Sequence, residues 1–157
     1  MTREIPLTKD KIVLVDDEDY ERVSQHSWCA IKIRKKFYAV SMINSQQVYL
    51  HVFLVSPPPG MEVDHVDSDG LNCQRYNMRL ATHSQNMMNQ KKHSDNTTGF
   101  KGVSKHRGKY RATIGENGVY HHVGYFPTAE EAAHAYDAAA RQYHGEFASL
   151  NFPDETT

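Results

Sequence analysis

Residues 61–92 read MEVDHVDSDGLNCQRYNMRLATHSQNMMNQKK, and their punctuation decides the local fold. MEVDHV has the character of a short strand. DSDGLN, at 67–72, gathers Asp, Ser, Gly and Asn and turns the chain. MRLA, at 78–81, offers a second short strand. Thr82 then opens a helix, and Gln85 three residues on completes a capping box. The product is a hairpin followed by a helix. Asp64 and His65 lie on the first strand and Asn86 in the helix's first turn, which makes a compact metal site. One carboxylate and one carboxamide suit a hard cation, Mg2+ or Mn2+, that keeps waters and takes further ligands from phosphate. A neutral imidazole beside it can deprotonate a water, since histidine titrates close to working pH. One metal and one base together describe phosphodiester hydrolysis. Geometry sets a condition: neighbours on a regular strand point to opposite faces, so Asp64 and His65 flank one phosphate only where the strand ends or twists.

Downstream, KKHSDNTTG (91–99) is polar and rich in turn formers, so it reads as a boundary. Beyond it Lys101, Lys105, Arg107, Lys109 and Arg111 face a single acid, Glu116, as far as Phe126. From Pro127 to Pro153 the balance reverses, with Arg141 alone against Glu130, Glu131, Asp137 and Glu146. That polarity suits a sheet laid on phosphates with a helix behind it, and equally a pair of ordinary solvated faces. FKGVSKHRGKYRATIGENGVYHHVGYF holds three short runs rich in β-branched and aromatic residues, punctuated by HRGK and by Asn117-Gly118, a strong hairpin signal. A three-stranded antiparallel meander is expected. TAEEAAHAYDAAARQYHG then reads as a helix, with Thr128 and Glu131 as a capping box and Gly145 as its stop. Ala132, Ala135, Ala139 and Ala140, with Tyr136 and Tyr143, give it a low-relief face that can lie close to a sheet.

Upstream, IVLV is a strand, and DDEDYERV an acidic helix start capped by Asp16 or Asp17. CAIKI and FYAVSMI, separated by RKK, read as a hairpin, and VYLHVFLV fits either a strand or a short helix. SPPPG after it is a loop. Lys32, Arg34, Lys35 and Lys36 either touch DNA or form a solvated turn.

The whole-chain sums exclude several classes. With 157 residues, 39% hydrophobic and 24% charged, the chain is globular, with room for one or two small cores. No apolar run is long enough to span a membrane. The N-terminus shows no secretory leader, and two cysteines exclude a disulfide scaffold or a four-cysteine zinc cage. A reducing cytoplasm, of a bacterium or a phage-infected host, is the expected compartment. A net charge of −1 hides the local basic patch.

Two resemblances follow from these residues. The segment 99–153, through GFKGV, GKYRATI, HVGYF, TAEEAAHAYDAAA and LNFP, resembles the DNA-binding domain of the plant Apetala/ethylene-response factors. That resemblance implies a sheet in the major groove, with Lys101, His106, Tyr110, Arg111, His121 and His122 on the contacting strands. Ser104 and Gly115 stand where that family carries arginine, and Tyr110 and His122 replace tryptophans, so the plant target sequence is not expected. Sheet packing is the plainer reading of Tyr110 and Tyr125. The run VDHVDSDGLNCQRYNMRL followed by a threonine and QN resembles the HNH, or ββα-metal, endonucleases of phage and homing type, over roughly 48–90. By that likeness Asp64 and Asn86 hold the metal, His65 is the general base, and Asn77 fixes the loop that orients it. His51 matches a histidine that precedes the motif in many relatives, although Val52 stands where arginine often follows. Singly, Asp64 and Asn77 read as turn residues, and His65 and His83 as solvated or satisfied histidines.

The expected fold is α+β: a ββα-metal HNH module preceded by a small β-rich segment and followed by a three-stranded antiparallel sheet packed on one helix. The domains are a nuclease at 1–92 (β-rich segment 1–60, motif 61–92), a linker at 93–98, a DNA-binding domain at 99–153 and a tail at 154–157. The expected function is a metal-dependent endonuclease acting on double-stranded DNA, with Mg2+ or Mn2+ as cofactor and no membrane partner. A catalytically inactive DNA-binding regulator is the alternative. One site per chain leaves a nicking monomer and a double-cutting dimer both open.

Overall fold

Alternation builds the first hairpin. In β2 (Lys11–Asp16) Val13 and Val15 are fully buried, whereas Ile12, before them, stays half exposed. It pairs antiparallel with β1 (Thr2–Leu7), whose Ile5 and Leu7 join the same core. Only the second of these strands is expected from the sequence. TREIPL carries charges and Pro6, which cannot donate to a ladder, and such a strand survives at an edge, where β1 lies. The computed structural model describes residues 1–90 and 96–153. The expected linker at 93–98 falls partly, and the tail at 154–157 wholly, outside the described residues. The chain divides into two units, Met1–His83 and Ser84–Thr157.

In the first unit α1 (Asp17–Ser24) follows directly on Asp16. Asp16 occupies the cap position, yet its carboxylate makes no capping bond there; its Oδ2 accepts from the backbone N–H of Arg75 at 2.7 Å instead. The expected cap is therefore corrected: a more distant donor wins the carboxylate. β3 (Cys29–Ile33), β4 (Lys36–Ile43) and β5 (Gln46–Tyr49) form an antiparallel sheet in that order. VYLHVFLV is both things it could be, the end of β5 and then α2 (Leu50–Val55). β6 (Glu62–His65) and β7 (Met78–Ala81) make the hairpin read from the sequence, with Asp64 opposite Arg79. α3 (His83–Met88) starts immediately after Thr82, and the boundary between the units falls after its first residue. Leu14 of β2 holds the β6–β7 loop, donating to Leu71 O at 2.9 Å and accepting from Cys73 N–H at 2.8 Å. Val13, Val15, Val23, Leu50 and Cys73 form the sealed centre of this core.

In the second unit β8 (Val103–His106), β9 (Lys109–Glu116) and β10 (Val119–Phe126) form the expected meander, with β9 central. α4 (Ala129–His144) packs on one face, its first turn capped by Thr128 Oγ1, which accepts from Glu131 N–H at 3.2 Å. The buried stripe is Ala132, Ala133, Tyr136, Asp137, Ala139 and Ala140. Ala133 replaces the expected Ala135 in full burial, and Tyr143 stays 36% exposed. Close approach demands Gly102. A Cβ there would sit 2.0 Å from the Tyr136 ring, and its φ is +73°. Asp137, buried in α4, receives the backbone N–H groups of Asn151 and Phe152 at 2.8 Å each, which explains how LNFP closes the unit. At 96–99 the chain is already a turn of this unit: Asn96 Oδ1 accepts from the N–H groups of Thr98 and Gly99.

Candidate active site and nucleic-acid interface

Both residues of the Asp64-His65 pair are buried, at 5% and 7% exposure. Their strand ends at His65, where the chain leaves the hairpin. Asp64 faces its cross-strand neighbour: Arg79 donates from Nη2 and Nε to Oδ2 at 2.8 and 2.9 Å. His65 lies among rings, 5.0 Å from His51 and 6.3 Å from Tyr38, with Cys73 Sγ 3.8 Å from its Nε2. Burial lowers the proton affinity of His65, an effect that Asp67 and Asp64 oppose and Lys36 adds to. Burial, with His65 as its neighbour, takes His51 down to about 3. Burial also pushes the Cys73 thiol up to about 12, so it stays protonated. At neutral pH this pocket therefore holds two uncharged imidazoles and an uncharged thiol.

Asn77 is 1% exposed and spends its whole carboxamide on the preceding loop. Nδ2 donates to Asp67 Oδ1 at 2.9 Å and to Asn72 O at 2.8 Å, while Oδ1 accepts from Asp67 N–H at 3.0 Å. Its own carbonyl accepts from Val66 N–H, directly after His65. Burial works against the Asp67 charge, but the N–H of Asp69 and the amides of Asn72 and Asn77 hold that carboxyl below its usual range. Gly70 packs the loop onto β4, since a Cβ there would meet Phe37 O at 2.5 Å and the Tyr38 ring at 2.6 Å. His83, exposed, bonds Glu62 Oε1 through Nδ1 at 2.8 Å. Asn86 lies on α3 within the second unit, half-buried. Among the described residues no three His, Cys, Asp or Glu side chains gather to hold a metal by themselves. Of the donors expected from the sequence pattern, the Asp64 carboxylate belongs to the first unit and the Asn86 carboxamide to the second. In kind they fit a hard divalent cation completed by water and phosphate.

On the second unit, register sorts the nine expected DNA contacts. Ser104 pairs with Arg111, Arg111 with Tyr125, and Thr113 with His122, so these positions share the face opposite α4. His106 and His122 flank Tyr125 at ring distances of 5.1 and 4.6 Å, and Lys109 lies opposite His106. Arg107 occupies the β8–β9 turn, and Lys105, exposed, pairs with Tyr110 and so lies off the open face. Three more of the nine lie elsewhere. Tyr110 packs into the core under α4, and His121 stacks on Tyr143 of α4 at 4.8 Å. Lys101 Nζ donates to Met88 O at 2.6 Å, and burial lowers its pKa to about 8. Alternation along β10 carried the missed signal, since His121 and His122 cannot both face outward. The same signal points to Tyr125 and Tyr120 as members of the open face, and β6–β7 register points to Arg79 as the partner of Asp64.

Residues 56–88 match the family model for HNH endonuclease. The chain is 33% identical over 149 residues to an uncharacterized HNH endonuclease of Acanthamoeba polyphaga mimivirus, covering 91% of this chain and 76% of that protein. It is 37% identical over 93 residues to Protein 3.8 of Escherichia phage T7, covering 58% of this chain and 76% of that protein. It is also 48% identical over 61 residues to dehydration-responsive element-binding protein 2A of Oryza sativa subsp. indica, covering 37% of this chain and 22% of that protein.

Proposed function

The chain belongs to the HNH endonuclease family, and from that premise we propose a homing-type endonuclease that hydrolyses phosphodiester bonds of double-stranded DNA. Its second unit, similar to the Apetala/ethylene-response-factor domain, docks the duplex. HNH nucleases generally use divalent metal ions, and Mg2+ or Mn2+ is the ion proposed. The observation that carries this reading is the buried Asp64-His65 pair at the end of β6, with His65 uncharged.

Asp64 and Asn86 would hold the ion, which when bound stabilises negative charge on the scissile phosphate and the leaving oxygen. His65 takes the proton of the attacking water; the water oxygen bonds to phosphorus as the bond to the leaving oxygen breaks. The nearby charges of Asp67 and Asp64 favour the imidazolium so formed. Asn77 positions this base by fixing the loop that follows it. The cytoplasm of a bacterium or infected host is the proposed setting.

A DNA-binding regulator without catalysis is favoured by one observation: Arg79 occupies Asp64 Oδ2. Plasmid nicking separates the two. The nuclease converts supercoiled plasmid with Mg2+ and stops in EDTA, and loses most turnover as His65→Ala. Binding without conversion, in either metal, sinks the nuclease. Nicked circles as sole product report single-strand cutting, and linear product reports both strands.

A further inference from the structure

Two basic hairpin tips, 9–11 and 32–36, lie far apart in sequence and come together in the first unit. Thr8 Oγ1 accepts from the backbone N–H of Ala30 at 3.0 Å, which ties the β1–β2 tip to β3. Lys11 and Lys32 both stand over the Phe37 ring, at 4.8 and 5.6 Å from its centroid. Lys9 and Arg34 occupy turn positions with φ of 61° and 55°. Within the tips Asp10 is the single acid against Lys9, Lys11, Lys32, Arg34, Lys35 and Lys36. Cations massed this way repel one another, so a purely solvated role would leave the concentration unexplained.

The 32–36 tip leads into β4, the strand that borders the candidate active site, while Lys11 and Lys32 stand on its Phe37 face. Tyr38 follows Phe37 on β4, and its ring contacts those of His51 and His65. Lys36 shares the strand face of Tyr38, and its charge is felt at His65. From Tyr38 to Lys36 the strand rises about 7 Å, over which one DNA strand presents about two phosphates along the helix axis. Gly70 against Phe37 and Tyr38 fixes the loop after His65 to this same strand.

We propose that the two joined tips, Lys9–Lys11 and Lys32–Lys36, form a backbone-phosphate clamp in the nuclease unit that holds the DNA strand entering the Asp64-His65 site. The clamp rests on the nuclease reading and adds a second DNA contact, separate from the sheet of the second unit. Its phosphate contacts carry no base information, so it serves any sequence that the second unit selects.

The test uses the full chain, with Lys32, Arg34 and Lys35 changed to Gln together; all three are exposed and outside the core. Binding of a fluorescent duplex is followed by anisotropy from low to high KCl. The slope of log K against log salt is expected to fall by about 0.9 for each phosphate no longer neutralised, up to about 2.7 in all. The charge-conserving triple Lys32→Arg, Arg34→Lys and Lys35→Arg keeps the wild-type slope. In plasmid cleavage the neutralised variant shows a raised KM, with kcat at saturating DNA within about twofold of wild type. Equal slopes for wild type and the neutralised triple overturn the clamp, whether or not the plasmid is cut. A wild type that never cuts plasmid overturns the nuclease reading separately.

Discussion

His51 shows how a residue with no assigned chemistry constrains the protein. Burial beside His65 leaves it neutral in the fold, with a proton affinity down to about 3, whereas the unfolded chain protonates it near 6.5. Its contribution is full above about pH 6.5 and is lost progressively as pH falls toward 3, because the unfolded state binds the proton first. From pH 7 to 5 that loss is about 1–2 kcal/mol from His51 alone. Urea melts of wild type and His51→Phe across this range check it: the variant should show a shallower acid limb, and parallel curves would contradict the account. Asn77 supports a second prediction. Asn77→Ala strands the Asp67 N–H and the Asn72 carbonyl and removes a donor from a carboxylate, so it should cost about 2–3 kcal/mol in denaturant unfolding.

Elements were legible where local chemistry decided them. Thr128 and Glu131 announced α4, Asn117-Gly118 the β9–β10 turn, and DSDGLN the loop between β6 and β7. They were illegible where a distant partner decided. β1 exists only because β2 pairs with it, and Asp16 leaves its helix because Arg75 N–H competes for it. The likeness of each part to a known family supplied site residues that propensity alone does not mark. It also carried over positions whose side chains this sheet turns inward, Tyr110 and His121, since a positional match ignores strand alternation. At this scale Gly102→Ala should cost about 3 kcal/mol, since its Cβ would overlap the Tyr136 ring and its backbone is left-handed. Thr128→Ala should cost only about 1 kcal/mol, the worth of one cap. Thermal melts that ranked these two in the reverse order would contradict the packing described for the second unit.

At the scale of the whole molecule, the proposed function gives cutting to the first unit and docking to the second, and their contributions should separate. Lys109→Gln and Arg111→Gln on the open sheet face should each reduce the salt slope of duplex binding by up to about 0.9. Lys101→Gln should leave that slope unchanged, because its ammonium is spent on Met88 O. A slope change for Lys101 alone would reverse the assignment of faces. The polar, turn-rich KKHSDNTTG marked a boundary at 91–99, whereas the two compact units divide earlier, after His83, and the pairing of Asp64 with Arg79 required the register of the hairpin. The most direct test of the central claim is single-turnover plasmid cleavage by Asp64→Ala in Mg2+, with duplex binding measured on the same sample. The account predicts a rate loss on the order of a thousandfold with binding retained. Cleavage at the wild-type rate by Asp64→Ala would contradict it.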